Sequence, residues 1–149
     1  MKKYFLLIIA AALMTSCGTT KKSGYKSVDA RDVPEKYVKD FVRQRPEIKD
    51  VRWEMADSTQ YFANFRSNDL DCMMKFTPNY TATYYVVPQQ YIHSEITDYI
   101  KQNYPSYKIS KAYIVDMHKV RNYEITINNK TEEKKLQFDV KGNFNKVID

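Results

Sequence analysis

At 149 residues, 43% hydrophobic and 28% charged, the chain has room for one ordinary domain with a sizeable core, which excludes disorder over most of its length. Aromatics reach 14%, with Tyr 13 and Phe 7 against Gly 3, a balance that suits pleated strands better than a helical bundle. The formal charge of +6 is mild, and the basic residues form short clusters at Lys21-Lys22 and Lys134-Lys135 with no continuous stripe, which argues against a nucleic-acid partner.

Met1-Lys2-Lys3 is a positive start, and Tyr4 to Leu13 is an apolar run too short to span a bilayer comfortably, the pattern of a signal peptide. Leu13-Met14-Thr15-Ser16-Cys17-Gly18 resembles a bacterial lipobox, with cleavage behind Ser16 and lipidation of Cys17, whose acyl chains then hold the protein to a membrane. Removal of residues 1–16 takes away Lys2 and Lys3 and no acid, so the formal charge falls from +6 to +4. With Cys17 acylated, Cys72 is the remaining thiol and no intramolecular disulfide can form. Cys72 reads as a small buried apolar residue; the alternative, a nucleophile working with His93 or His118, needs an activating geometry. Gly18 to Asp32 is polar and lacks apolar periodicity, so residues 17–32 are expected to be a lipid-anchored flexible tether.

Structure is predicted to begin at Val33-Pro34, with Asp32 as the helix cap and Pro34 at an early position that needs no backbone donor. Tyr37, Val38, Phe41 and Val42 fall on one face of this helix, and Pro46 stops it. From Lys49 the period changes to two. Val51, Trp53 and Met55 alternate with Arg52 and Glu54, and further strands are predicted over Thr59 to Arg66, Leu70 to Thr77 and Tyr80 to Val87, separated by Asp57-Ser58, Ser67-Asn68-Asp69 and Pro78-Asn79.

Pro88 is predicted to open a longer helix with Tyr91, Ile92, Ile96, Tyr99 and Ile100 on its apolar face, ended at Asn103-Tyr104-Pro105. The strands predicted after it are Ile109 to Met117, Tyr123 to Asn128, Lys134 to Val140 and Asn143 to Ile148. Met55 with Met117, Tyr61 with Tyr123, Phe65 with Ile127, Met74 with Leu136 and Phe76 with Phe138 all stand 62 residues apart. That common offset implies a duplication, units 33–87 and 88–149. The expected fold is α+β: two tandem repeats, each a helix followed by a four-stranded antiparallel meander, with the helices packed on one face of a curved sheet.

Val33-Pro34, the helix end from Phe41 to Pro46, Val51-Arg52-Trp53, Tyr61, Phe65, Phe76 and the closing Leu136-Gln137-Phe138-Asp139-Val140-Lys141-Gly142 resemble the PepSY-like, β-lactamase-inhibitor-like family of secreted Gram-negative bacterial proteins. The match covers nearly all of residues 33–149. The resemblance implies tandem helix-and-meander units forming one curved sheet surface, and a protein-binding role for the sheet face; Pro78-Asn79-Tyr80 departs from the family pattern seen at Val140-Lys141-Gly142.

The strand residues expected on the face away from the helices are Arg52, Glu54, Phe62, Asn64, Arg66, Met73, Lys75, Thr81, Thr83 and Tyr85, joined by Glu124, Thr126, Asn128, Lys135 and Gln137. Phe62, Met73 and Tyr85 are apolar anchors among charged neighbours such as Arg66 and Lys75, the composition of a recognition surface. No metal-ligand spacing accompanies His93 or His118, no phosphate loop or nucleophile elbow occurs, and no cofactor is expected. Asn79-Tyr80-Thr81 and Asn129-Lys130-Thr131 match glycosylation sequons but read as turns. The function expected is that of a periplasm-facing lipoprotein, not an enzyme, which binds an exported protein or peptide through its open sheet face. The alternative is a structural or envelope-maintenance lipoprotein without a discrete soluble partner.

Overall fold

A computed structural model describes residues 24–148. The signal peptide and Cys17 lie outside the described residues, and among those described no helix is long and apolar enough to cross a membrane.

The strands are β1 (Lys26–Val28), β2 (Arg52–Asp57), β3 (Gln60–Ser67), β4 (Leu70–Phe76), β5 (Thr81–Val86), β6 (Lys108–Met117), β7 (Val120–Asn128), β8 (Glu133–Phe138) and β9 (Phe144–Ile148). They form one antiparallel sheet whose spatial order is their chain order. Two α-helices, α1 (Glu35–Gln44) and α2 (Ser94–Asn103), interrupt the meander. This corrects the expected pair of helix-plus-four-strand repeats. The strands do not divide into two groups of four, because β5 pairs with β6 from Ala82–Met117 to Val86–Tyr113 and the ladder continues through the supposed boundary. The sheet has nine strands because β1 adds one from the stretch expected to be tether.

Local chemistry explains the turns. Asn68 and Asp69, at φ 49° and 62°, and His118 and Lys119, at φ 52° and 66°, occupy the left-handed region that two-residue hairpins require. Asp139 closes the β8–β9 turn by accepting hydrogen bonds from the backbone N–H groups of Lys141 and Asn143. In that turn Gly142 has φ +89°, and an added Cβ would stand 2.9 Å from the Glu95 Cβ, so α2 lies directly against the turn.

The helices depart from expectation at their starts. Pro34, not Asp32, is the residue before α1, and no side chain caps that end. After Pro88 the chain makes a 3-10 turn (Gln89–Tyr91), extends at Ile92 and only then enters α2, so Tyr91 is 70% exposed and has no place on the apolar face. On α1, Tyr37 and Phe41 are buried whereas Val42 is exposed.

Both helices cover the same face. The row Phe65, Cys72, Tyr85, Ile114, Tyr123 and Phe138 crosses the sheet from β3 to β8 by direct pairing. At its β3 end it packs with Tyr37 and Phe41 around Trp53, Met74 and Phe76; at its β8 end it packs with Ile96 and Ile100 around Ile125, Ile127 and Leu136. Phe41, Phe76, Phe138, Met74 and Ile96 are essentially sealed, and removing one large core side chain of this kind costs about 3–5 kcal/mol.

Candidate functional site

The other face carries no helix among the described residues. The pairings place Asn64, Met73, Tyr84, Val115 and Asn122 in one row across it and Phe62, Lys75, Ala82 and Met117 in the next. A third row runs from Val86 through Tyr113, Glu124 and Gln137 to Lys146. On a flat open sheet such side chains are half exposed. Here Phe62, Ala82, Val115 and Thr126 are buried, so the sheet curls and its neighbouring side chains close over them.

Of the side chains expected to bind a partner, Phe62, Met73, Arg66 and Lys75 share this face. Phe62 is only 3% exposed, because the Tyr25 ring stacks on it at 4.3 Å with 8° between planes. The Lys75 ammonium lies 6.0 Å from the Phe62 centroid and 5.7 Å from that of Tyr80. Arg66 is engaged within its own hairpin, donating to the Asp69 carbonyl at 2.9 Å and standing 3.6 Å from Asp71.

Tyr85 lies elsewhere. It pairs with Cys72 and Ile114, on the helix face, and its hydroxyl accepts a hydrogen bond of 2.6 Å from Arg45, the residue that ends α1. Thr81 and Thr83, expected on the open face, share that side; Thr83 pairs with the sealed Met74. The alternation of β5 is the reverse of the expected one. Its composition, TATYYV, has no apolar side to decide the matter, and the register instead follows from Phe76, whose core position puts Thr81 opposite it across the Pro78-Asn79 turn.

The residues that sequence reasoning missed are Tyr84, Tyr113 and Tyr25. Tyr84 and Tyr113 meet edge to face at 5.8 Å near the centre of the open face. Beside them stands Glu124, paired across the strands with Tyr113. Burial pushes the Glu124 carboxyl above its usual range, opposed by the charges of Lys135 and Lys75. Burial likewise pushes the Tyr84 phenol well up, reinforced by Glu124, Tyr80, Tyr25 and Tyr113, and raises Tyr113 with help from Tyr25 and Glu124. Neither phenol and no oxygen of Glu124 has a hydrogen-bond partner among the described residues. An open groove of about 1140 Å³ is lined by Arg52, Asn64, Arg66, Asp71 and Tyr113 of this face, by Phe65 and Cys72 of the helix face, and by the Glu47–Val51 loop.

Cys72 sits under α1, 4% exposed, with its thiol pushed up by burial and only partly relieved by Arg45. His93 precedes α2 with its ring on Tyr123, and His118 occupies the β6–β7 turn, so neither is presented as a base for that thiol. A cavity of about 190 Å³ beneath the β5–α2 connection, lined by Val86, Val87, Ile92 and Ala112 among others, is below the size of ordinary small-molecule sites. No cluster of three metal-ligating side chains occurs among the described residues.

No protein-family model matches the sequence, and no curated protein matches it either. Among solved structures the chain is similar to a DUF2874 family protein of Bacteroides ovatus, at 19% identity and TM-score 0.61 over 78% of this chain and 88% of that one. It is similar to a BLIP-like protein of Bacteroides fragilis at 14% identity and TM-score 0.61, covering 78% and 86% of the two chains. A third likeness, at 14% identity and TM-score 0.60 over 78% and 88%, is to a presumed periplasmic protein of Bacteroides eggerthii. These are likenesses of fold. Of the resemblance drawn from the sequence, the BLIP-like fold is the part they support.

Proposed function

We propose that the protein is a non-catalytic binding module of the bacterial cell envelope that recognises an exported protein or peptide through the open face of its sheet. The observation that carries this reading is the Tyr84–Tyr113–Glu124 group. Two phenols and a carboxyl group stand half-buried, without hydrogen-bond partners among the described residues, on a face where those residues place no helix, so a partner's donors and acceptors can pair with them in place of water. Met73 and Lys75 beside them add the apolar and charged contacts found together at interfaces. The signal-like start and Cys17 support the reading of a membrane-held module facing the periplasm, and the likeness to a BLIP-like fold supports inhibition of an envelope enzyme as one version of it.

The test is affinity capture from a solubilised membrane fraction with the full chain. Met73→Asp, Lys75→Glu and Tyr84→Ala should each lose a discrete co-purifying protein, while Tyr91→Ala, exposed in the 3-10 turn that leads to α2, should keep it. Undiminished capture by the three variants overturns the assignment of the face. Phe62→Asp is unsuited to this test because it would place a charge at a buried position.

A further inference from the structure

The half of the open face built by β6 to β9 is basic. Cross-strand pairing places Lys111, Thr126 and Lys135 in one row, beside the row of Tyr113, Glu124, Gln137 and Lys146. Lys111, Lys135 and Lys146 are exposed, and Glu124 is the acid these two rows contain. Further out, Lys108 shares a row with Asn128 and Glu133. Among the described residues, the lysines within ion-pair reach of a carboxylate are Lys39 on α1, Lys101 on α2 and Lys134, whose partner Ile127 belongs to the core under α2. The lysines of the open face have no such carboxylate there.

This face is also concave. Lys75 stands on β4 and Glu124 on β7, which a flat sheet would hold roughly 14 Å apart at about 4.8 Å per strand. Yet the Lys75 charge acts on the Glu124 carboxyl, and Tyr25, stacked on Phe62 of β3, acts on Tyr113 of β6. The two halves of the face therefore turn towards each other. A bilayer surface is too flat to reach between them, whereas a loop or chain end of another protein can.

We propose that this half of the open face docks an acidic segment of a partner protein, whose carboxylates sit among Lys75, Lys111, Lys135 and Lys146 and accept hydrogen bonds from the Tyr84 and Tyr113 hydroxyls. The proposal rests on the open face being the partner-binding surface and specifies the charge of what binds there. The lysines draw the segment in, and complementary charge of this kind acts chiefly on encounter and on the choice of partner. Burial keeps both phenols protonated, so each offers a donor, and an O–H bond to a carboxylate is charge-assisted. Glu124 is the nearby group that would repel such a segment. Its burial already favours the uncharged form, and an arriving carboxylate favours that form further.

The probe is a short peptide of alternating glutamate and serine, compared with its glutamine and lysine counterparts and titrated into the isotope-labelled full chain carrying Cys17→Ala. The glutamate peptide should shift the backbone amide resonances of β6 to β8, and the other two should not. Lys111→Glu combined with Lys135→Glu should weaken its binding roughly tenfold, and the milder Lys111→Gln with Lys135→Gln roughly threefold. Lys36→Glu with Lys101→Glu makes the same change of net charge on the two helices and should leave binding within about twofold. Glu124→Gln should tighten it roughly two- to fivefold, because a like charge is removed and the shape is kept. Absence of shifts with the glutamate peptide, equal binding of the glutamate and glutamine peptides, equal losses in the helix and sheet variants, or weaker binding to Glu124→Gln overturns the proposal. So does a shift of the same amides by dihexanoyl phosphatidylglycerol but not by the glutamate peptide, which assigns the lysines to a lipid headgroup. The broader reading fails separately: a Lys111→Glu, Lys135→Glu chain that still captures an envelope protein, when Met73→Asp and Tyr84→Ala lose it, removes the acidic segment but leaves the face.

Discussion

Arg45 donates to the Tyr85 hydroxyl at 2.6 Å, with its guanidinium 5.9 Å from the centre of that ring, so the last turn of α1 is fastened to β5. The bond joins residues 40 positions apart and involves a charged donor, which makes it a stability contact. Tyr85→Phe should lower the unfolding free energy by about 1.5 kcal/mol in urea titrations. Partner capture by the folded variant should be unchanged. A variant with parent stability and lost capture would return Tyr85 to the binding surface.

Gly142 is held at φ +89° with α2 against it. Gly142→Ala must adopt a left-handed conformation, costing about 1–2 kcal/mol, and must also push its Cβ against Glu95. The melting temperature should fall by several degrees. Asp139→Ala, which removes two backbone-capping bonds from the same turn, should act in the same direction. Unchanged melting in both would show that the turn does not support α2.

Glu124 gives the fold a pH dependence of definite sign. Its carboxyl is raised on folding, first by burial, so the folded chain keeps a proton that the unfolded chain has lost. Stability from this group therefore falls as pH rises from the ordinary value of 4.5 to the raised folded value, and stays lower above it. Glu124→Gln should be more stable than the parent at pH 7, with the difference shrinking towards pH 4. An advantage that is equal at both pH values would refute the assignment. The same substitution keeps shape but not charge, so it also tests whether a partner uses the carboxylate.

Cys72 should behave as an inert core thiol. In the Cys17→Ala chain, an aromatic disulfide reagent should label it only after unfolding, because burial both hides the sulfur and raises its pKa. Rapid labelling of the native chain would reopen the nucleophilic reading.

The helices and most strands were legible because their periods are unambiguous. Tyr37 and Phe41 repeat at helical spacing beside Pro46, and Tyr61, Ala63 and Phe65 alternate cleanly as β3. What could not be read depended on partners distant in sequence. The continuous sheet follows from β5 meeting β6 across an intervening helix, and the 62-residue offset is silent about whether two groups of strands join. Tyr84 and Tyr85 are chemically alike, so only the register set by Phe76 tells which one enters the helix side. Tyr25 lies in a polar stretch whose order comes from stacking on Phe62, a residue 37 positions away. Tyr91 was placed on a helix because its spacing fits, whereas the chain is still in a 3-10 turn there.

Because the strands lie side by side in the order in which they occur along the chain, tension applied at the amino-terminal end meets them one at a time. Strands arranged this way part like a zipper, a few hydrogen bonds bearing load at any moment, whereas oppositely pulled neighbours would share it along their whole length. The first to part is β1, three residues long and next to the end that an anchor would pull. Its parting uncovers the Phe62 ring and takes Val28 off the edge of the core that α1 covers, while Tyr37 and Phe41 stay in place.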